Sequence, residues 1–212
     1  MRRKGALLLS LAGLLTASTL GASAATASSP SAPADAGWEV VDNATMNEML
    51  AEAGAARLSA ADEEPEELPW AIESVGTGLF VASEQSYRAP NTGLLRARSE
   101  EVGGSWELFD LYWDDATETL ALRSTANDLF VASEQNYTGS SEGILRARSA
   151  GSAGSWERFV LWTNPDTGRY ALRSVANDLF VATEQNYTGD LNNALRARSD
   201  WINGSWEEFY LY

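Results

Sequence analysis

The chain has no cysteine and no histidine, and its one lysine is Lys4. Ser–His–Asp and Cys–His nucleophilic systems are therefore excluded, as are zinc sites built on His or Cys. Any catalysis would fall to carboxylates, Arg, Tyr, Ser or a carboxylate-bound metal. Positive charge is scarce as well: fifteen basic residues stand against thirty acidic ones, a net charge of -15. Nucleic acid and anionic membranes both need a basic footprint, so neither is an expected partner. Long apolar runs are missing too. The one candidate, Ala6 to Leu15, is too short to span a bilayer.

That run instead has the layout of a secretory leader. Arg2, Arg3 and Lys4 precede it, and small residues follow, with Ala-Ser-Ala (22–24) or Ala-Thr-Ala (25–27) as cleavage sites. A signal peptide over 1–27 and a secreted mature chain are expected. Losing those three cations takes the net charge from -15 to -18. An exported chain without disulfides must be held by its core. Residues 71–212 are enough for this, since a domain of that size buries roughly 68–70% of its unfolded surface.

Residues 28–69 are expected to form a flexible acidic extension. SSPSAPADAG (28–37) is a Pro/Ala/Ser linker, and SAADEEPEELP (59–69) is acidic with two prolines. Between them Met46, Met49, Leu50, Ala53 and Arg57 share one helical face, which predicts a helix over 46–58. Thr45 and Glu48 match a capping box. A tether, a partner-docking helix and a propeptide segment all fit this stretch.

From residue 71 the chain repeats every fifty residues. AIESVGTGLFVASEQSY (71–87) matches ALRSTANDLFVASEQNY (121–137) and ALRSVANDLFVATEQNY (171–187). LRARS follows at 95–99, 145–149 and 195–199, then GSWE at 104–107, 154–157 and 204–207. All six phenylalanines occupy two repeat positions, 80/130/180 and 109/159/209. Each repeat reads as four short strands. Alternation sets Leu129, Val131 and Ser133 against Phe130, Ala132 and Glu134. In LRARS it sends Arg146 and Arg148 to the solvent side. Turns such as NPDTG (164–168) join the strands. Three units are too few for a propeller. The expected fold is all-β: one twelve-stranded β-trefoil over 70–212, with repeats 71–120, 121–170 and 171–212.

The order NDLFVASE, LRARS, GSWE-x-F-x-L resembles the fascin-like branch of β-trefoil domains, across residues 71–212. Animal fascins cross-link actin with four such domains; here there is one, and an acidic, lysine-free surface would repel acidic actin. Secreted microbial relatives often accompany carbohydrate-active enzymes, and β-trefoils include many sugar-binding modules. The Gln-x-Trp motif of ricin-type lectins is absent, so their pocket residues do not transfer. No inhibitory loop of the Kunitz-type trefoils stands out.

The polar and aromatic residues shared by the repeats are the candidate ligand site. They are Glu84, Gln85, Tyr87, Arg96, Arg98, Trp106 and Glu107; then Glu134, Gln135, Tyr137, Arg146, Arg148, Trp156 and Glu157; then Glu184, Gln185, Tyr187, Arg196, Arg198, Trp206 and Glu207. Trp and Tyr would stack on sugar rings, and Glu, Gln and Arg would bind hydroxyls as planar forks. The competing reading pairs the arginines with the glutamates. If the last strand already runs at Trp106, that indole faces opposite Phe109; if the chain bends at Gly104-Ser105-Trp106, it folds under the hairpin. Trp201 occurs only in the third repeat, where it would deepen a site or cover a loop. Asp114 and Asp115 are adjacent turn residues rather than a glycosidase pair, which needs its carboxyls about 5–9.5 Å apart. The sequence thus points to a non-catalytic module without cofactor or metal. Its partner would be a polysaccharide or cell-surface glycan, weakly bound at three sites acting together. A protein-interaction or cell-surface role is the alternative.

Overall fold

The computed structural model describes residues 37–60, 69–151 and 154–212. The expected leader (1–27) and the linkers at 28–36 and 61–68 lie outside the described residues. In chain order the elements are β1 (Glu39–Val40), α1 (Asn43–Ala60), and four strands per repeat. Repeat one holds β2 (Trp70–Ser74), β3 (Leu79–Glu84), β4 (Leu94–Ser99) and β5 (Leu108–Asp114). Repeat two holds β6 (Thr119–Ser124), β7 (Leu129–Ser133), β8 (Leu145–Ser149) and β9 (Phe159–Asn164). Repeat three holds β10 (Arg169–Ser174), β11 (Phe180–Glu184), β12 (Ala194–Ser199) and β13 (Phe209–Leu211).

The outer strands of the repeats close a barrel in the order β2-β5-β6-β9-β10-β13, with β13 pairing back to β2. The inner strands pair as the hairpins β3–β4, β7–β8 and β11–β12. This is the β-trefoil, and closure leaves the barrel no free edge. Phe109, Phe159 and Phe209, one at or near the start of each closing strand, are almost wholly buried at its centre with Val81, Val131, Val181, Leu95, Leu145 and Leu195.

Strict alternation fails in the hairpins for a local reason. The register shifts at Phe80/Val81, Phe130/Val131 and Phe180/Val181, a β-bulge in every repeat. After it, both faces are covered: Val131, Ala132, Ser133 and Glu134 are all buried.

The three hairpins meet around Leu94, Ile144 and Ala194. There the backbones approach closely. A Cβ on Gly93 (φ +77) would lie 2.4 Å from the carbonyl oxygen of Ala147, and one on Gly143 (φ +72) 2.4 Å from that of Ala197. Asn193 (φ +57) holds the third position and has a Cβ. The matching hydrogen bonds record the difference. The N–H of Ala97 reaches the Asn193 carbonyl at 3.0 Å, against 2.7 Å from Ala147 to Gly93 and 2.8 Å from Ala197 to Gly143.

Residues 38–46, expected as part of a tether, belong to the domain. Val41 and Met46 are buried in the central cluster with Phe109, Phe159 and Phe209. β1 pairs antiparallel with β9, setting Glu39 against Thr163 and Val40 against Trp162. The N–H of Val41 donates to the Leu161 carbonyl at 2.9 Å, and the Trp113 indole N–H donates to Asn43 Oδ1 at 2.8 Å. The cap also differs from expectation. Asp42 Oδ1 accepts the N–H of Thr45 at 2.8 Å, so Asp42 starts the helix rather than a Thr45–Glu48 box. No helix among the described residues is long and apolar enough to cross a membrane.

Candidate functional site

The repeated acid and the two arginines of LRARS form one unit per repeat. Glu84, Glu134 and Glu184 are buried at the ends of their hairpin strands. Each accepts two guanidinium groups. Glu84 meets Arg96 at 3.4 Å and Arg98 at 2.7 Å. Glu134 meets Arg146 at 2.8 Å and also Arg148. Glu184 meets Arg196 at 3.6 Å and Arg198 at 2.6 Å.

The two arginines of each unit have different fates, which corrects the expectation that both face solvent. Arg146 is buried, donating to Glu134 through Nε and a terminal nitrogen and to the Tyr137 hydroxyl at 2.7 Å. Arg96 and Arg196 likewise donate to Tyr87 and Tyr187. They also cross into neighbouring repeats. Arg96 Nε donates to the Asn192 carbonyl at 2.8 Å, and Arg196 donates to the Gly139 carbonyl at 2.8 Å. Strand alternation places 96 and 98 on one face, but the tyrosines fold over the inner member and seal it. The outer members, Arg98, Arg148 and Arg198, pair with the glutamate through Nε. Their side chains are 34%, 45% and 35% exposed.

Burial pushes the carboxyls of Glu84 and Glu184 above their ordinary value of 4.5, and the paired arginines pull them back only in part. The folded state therefore binds more protons than the unfolded chain just above that value. The associated stability is present at low pH and lost as pH rises through the folded-state value. Denaturant midpoints should rise as pH is lowered from neutral through the folded-state value. A Glu84→Gln/Glu184→Gln variant should show a shallower slope; an unchanged slope would count against this assignment.

GSWE is a turn. Ser105–Glu107 forms a single 3-10 turn, so the last strand does not run back to Trp106 and alternation does not decide its direction. Trp106, Trp156 and Trp206 are all half-buried. The carbonyls of Trp156 and Trp206 accept the N–H groups of Ser133 and Thr183, both at 2.8 Å, and tie the turn to the hairpin. Glu107 and Glu207 are buried and accept the hydroxyls of Ser99 at 2.7 Å and Ser199 at 2.6 Å. Glu157 accepts the N–H of Gly154 at 2.9 Å.

The glutamines are also engaged within the fold. Gln85 and Gln135 donate to the hydroxyls of Ser83 at 2.6 Å and Ser133 at 2.8 Å. In repeat three that serine is Thr183, whose hydroxyl pairs with Ser74 at 2.8 Å, and the Gln185 amide nitrogen is buried without a partner. Of the candidate residues, the outer arginines are the exposed ones, and in repeats one and three each lies against a half-buried indole. The Arg98 guanidinium lies 5.4 Å from the Trp106 ring centroid, and that of Arg198 lies 5.8 Å from Trp206. The other candidates brace the fold.

One set of positions escaped the sequence reading. Tyr112, Trp162 and Tyr212 share a repeat position, and each meets the Phe of its groove. Tyr112 lies 5.4 Å from Phe130, Trp162 5.6 Å from Phe180, and Tyr212 5.9 Å from Phe80, between ring centroids. The aromatic identity at fifty-residue spacing was the available signal. In repeat three Trp201 stacks edge-on against both Trp162 and Phe180, and Trp38 and Ile202 complete the cluster. In repeat two the groove is an open pocket of about 190 Å³.

No family model and no curated sequence matches the chain. Solved structures match the fold. The designed threefold-symmetric protein ThreeFoil is similar with a TM-score of 0.54 and 15% identity, over 67% of this chain and 96% of that one. The BEL β-trefoil has a TM-score of 0.51 and 12% identity, over 71% of this chain and 96% of its own. The GlcNAcα1-4Gal-releasing endo-β-galactosidase from Clostridium perfringens has a TM-score of 0.51 and 10% identity over 68% of this chain, which spans only 32% of that enzyme. At these identities the likeness establishes the β-trefoil fold alone.

Proposed function

We propose that this chain is a secreted, non-catalytic carbohydrate-binding module of the fascin-like type. The observation that carries the reading is the surface unit that the outer arginine and the indole make in repeats one and three. A buried glutamate holds Arg98, Arg148 or Arg198 through Nε, which fixes the guanidinium plane and leaves its terminal N–H groups for hydroxyl acceptors. A half-exposed indole stands beside it in repeats one and three. A pyranose offers C–H faces to an indole and hydroxyls to a donor fork, so the pairing suits it. The leader-like N-terminus supports export. The presence of a similar domain within a larger galactosidase is consistent with an accessory role.

The test is retention on insoluble glucan, chitin, xylan and galactan. Wild-type chain should be retained on at least one of them. Trp106→Ala/Trp156→Ala/Trp206→Ala should lose about tenfold or more in affinity, some 1.4 kcal/mol or more. Because those indoles also pack on the hairpins, Arg98→Gln/Arg148→Gln/Arg198→Gln serves as a second variant. Absence of wild-type retention on every polymer would end the carbohydrate reading.

A further inference from the structure

The groove between Tyr112 and Phe130 is open where its counterpart between Trp162 and Phe180 is filled. Its walls are Tyr112 and Phe130, and its lining includes Trp113, Thr119 and Ala121. Its rim is polar. Arg158 pairs with Asp114 at 3.1 Å and donates to the Thr117 hydroxyl at 3.3 Å, which in turn lies 2.8 Å from that of Thr119. Asp114 is held below the usual carboxylate range, mainly by Thr117, and so remains a charged acceptor.

Repeat three shows what the same groove takes when filled. Trp162, Ala171 and Phe180 stand where the open groove has Tyr112, Ala121 and Phe130, and they pack with the indole of Trp38 and with Trp201. Phe180 is 1% exposed as a result. Repeat two has Gly151 at the position of Trp201, where an added Cβ would meet no atom within 4 Å. Tyr112 remains 42% exposed. The groove therefore admits a flat ring, and its free volume of about 190 Å³ is below the 300–1,000 Å³ of typical ligand pockets. It has room for one ring between the two aromatics.

We infer that this groove, between Tyr112 and Phe130, is a subsite for a single neutral pyranose unit. The ring faces stack on the aromatics, and the hydroxyls bond to the Asp114–Arg158 pair and the threonines. The inference rests on the carbohydrate reading above and adds to it a site outside the Trp/Arg units. The polar rim favours a sugar over an aromatic side chain. The groove that holds Trp38 carries Asn164 and Glu208 at the corresponding positions, and Glu208 is turned to Arg169 at 2.5 Å.

The test uses the whole chain and NMR. Methyl glycosides of glucose, galactose, N-acetylglucosamine and xylose are titrated in turn, with aromatic side-chain signals of Tyr112, Phe130, Trp106, Trp156 and Trp206 followed. Saturable shifts at Tyr112 and Phe130 with one glycoside are expected. Gly151→Trp, which copies Trp201 of repeat three, should abolish those shifts while leaving the thermal midpoint equal or higher. Tyr112→Ala should weaken the same binding about tenfold or more. Shifts confined to Trp106, Trp156 and Trp206 would overturn the groove assignment and leave the carbohydrate reading standing. Shifts at Phe130 with the peptide Gly-Trp-Glu-Val-Val and with no glycoside would assign the groove to a strand-like segment and overturn it as well. No glycoside shift anywhere, with no polymer retention, would remove both.

Discussion

Trp38→Ala should destabilise the domain by about 3–5 kcal/mol, the range for an aromatic deleted from a packed core, although Trp38 lies outside all three repeats. Its indole is buried with Trp162, Phe180 and Ile202. It also anchors β1, which brings Val41 and Met46 into the main core. Met46→Ala should cost about 2–5 kcal/mol on the same grounds. Denaturant titration at unchanged m-value measures both. A loss under about 1 kcal/mol for each, the usual mean for any substitution, would mean that the extension is a passive tail.

The second large effect concerns the buried acid of repeat two. Glu134 is fully buried, and its partner Arg146 is 5% exposed. Removing one member of a buried ion pair leaves the other charge uncompensated, at a cost of about 3–5 kcal/mol. Glu134→Ala should show this loss. Glu84→Ala should lose less, since the Arg96 side chain is 14% exposed against 6% for Arg146. Replacing both charges by apolar groups is often close to neutral, so Glu134→Ala/Arg146→Met should recover much of the deficit. Equal losses in the single and double variants would show that shape, not charge, is what Glu134 supplies.

Apart from the helix that α1 contains, the features that sequence revealed are repeated ones. Phe109, Phe159 and Phe209 declared the core because a fifty-residue spacing repeats them, and the same spacing carried the twelve strands. Most of what it missed was not repeated, or depended on a bend. Val41 and Met46 reach the core from far along the chain, and nothing in their local pattern separates a plug from a tether. Arg96 and Arg98 share a face, as alternation required, yet the fold-over of Tyr87 that buries only the first has no local signature. GSWE matched a strand entry until its backbone proved to be a 3-10 turn, which turned Glu107 and Glu207 into braces. Tyr112, Trp162 and Tyr212 were within reach, but a position that mixes Tyr with Trp is easily passed over beside one that is always Phe.

The pairing of β1 with β9 has a consequence for assembly. A folding chain offers residues 38–41 three related grooves, and two of the three repeats are nearly identical in sequence. A fully symmetric molecule would give one segment three equal destinations, and a third of the chains would find each. Here Trp162 for Tyr112, Trp201 for Gly151 and Ile202 make the third destination richer in apolar contact. Each additional buried side chain of that size is worth about 1.5–3 kcal/mol, and about 1.4 kcal/mol already gives tenfold preference. The departures from symmetry around this groove thus act as an address, selecting one topology among three that duplication alone would have left degenerate.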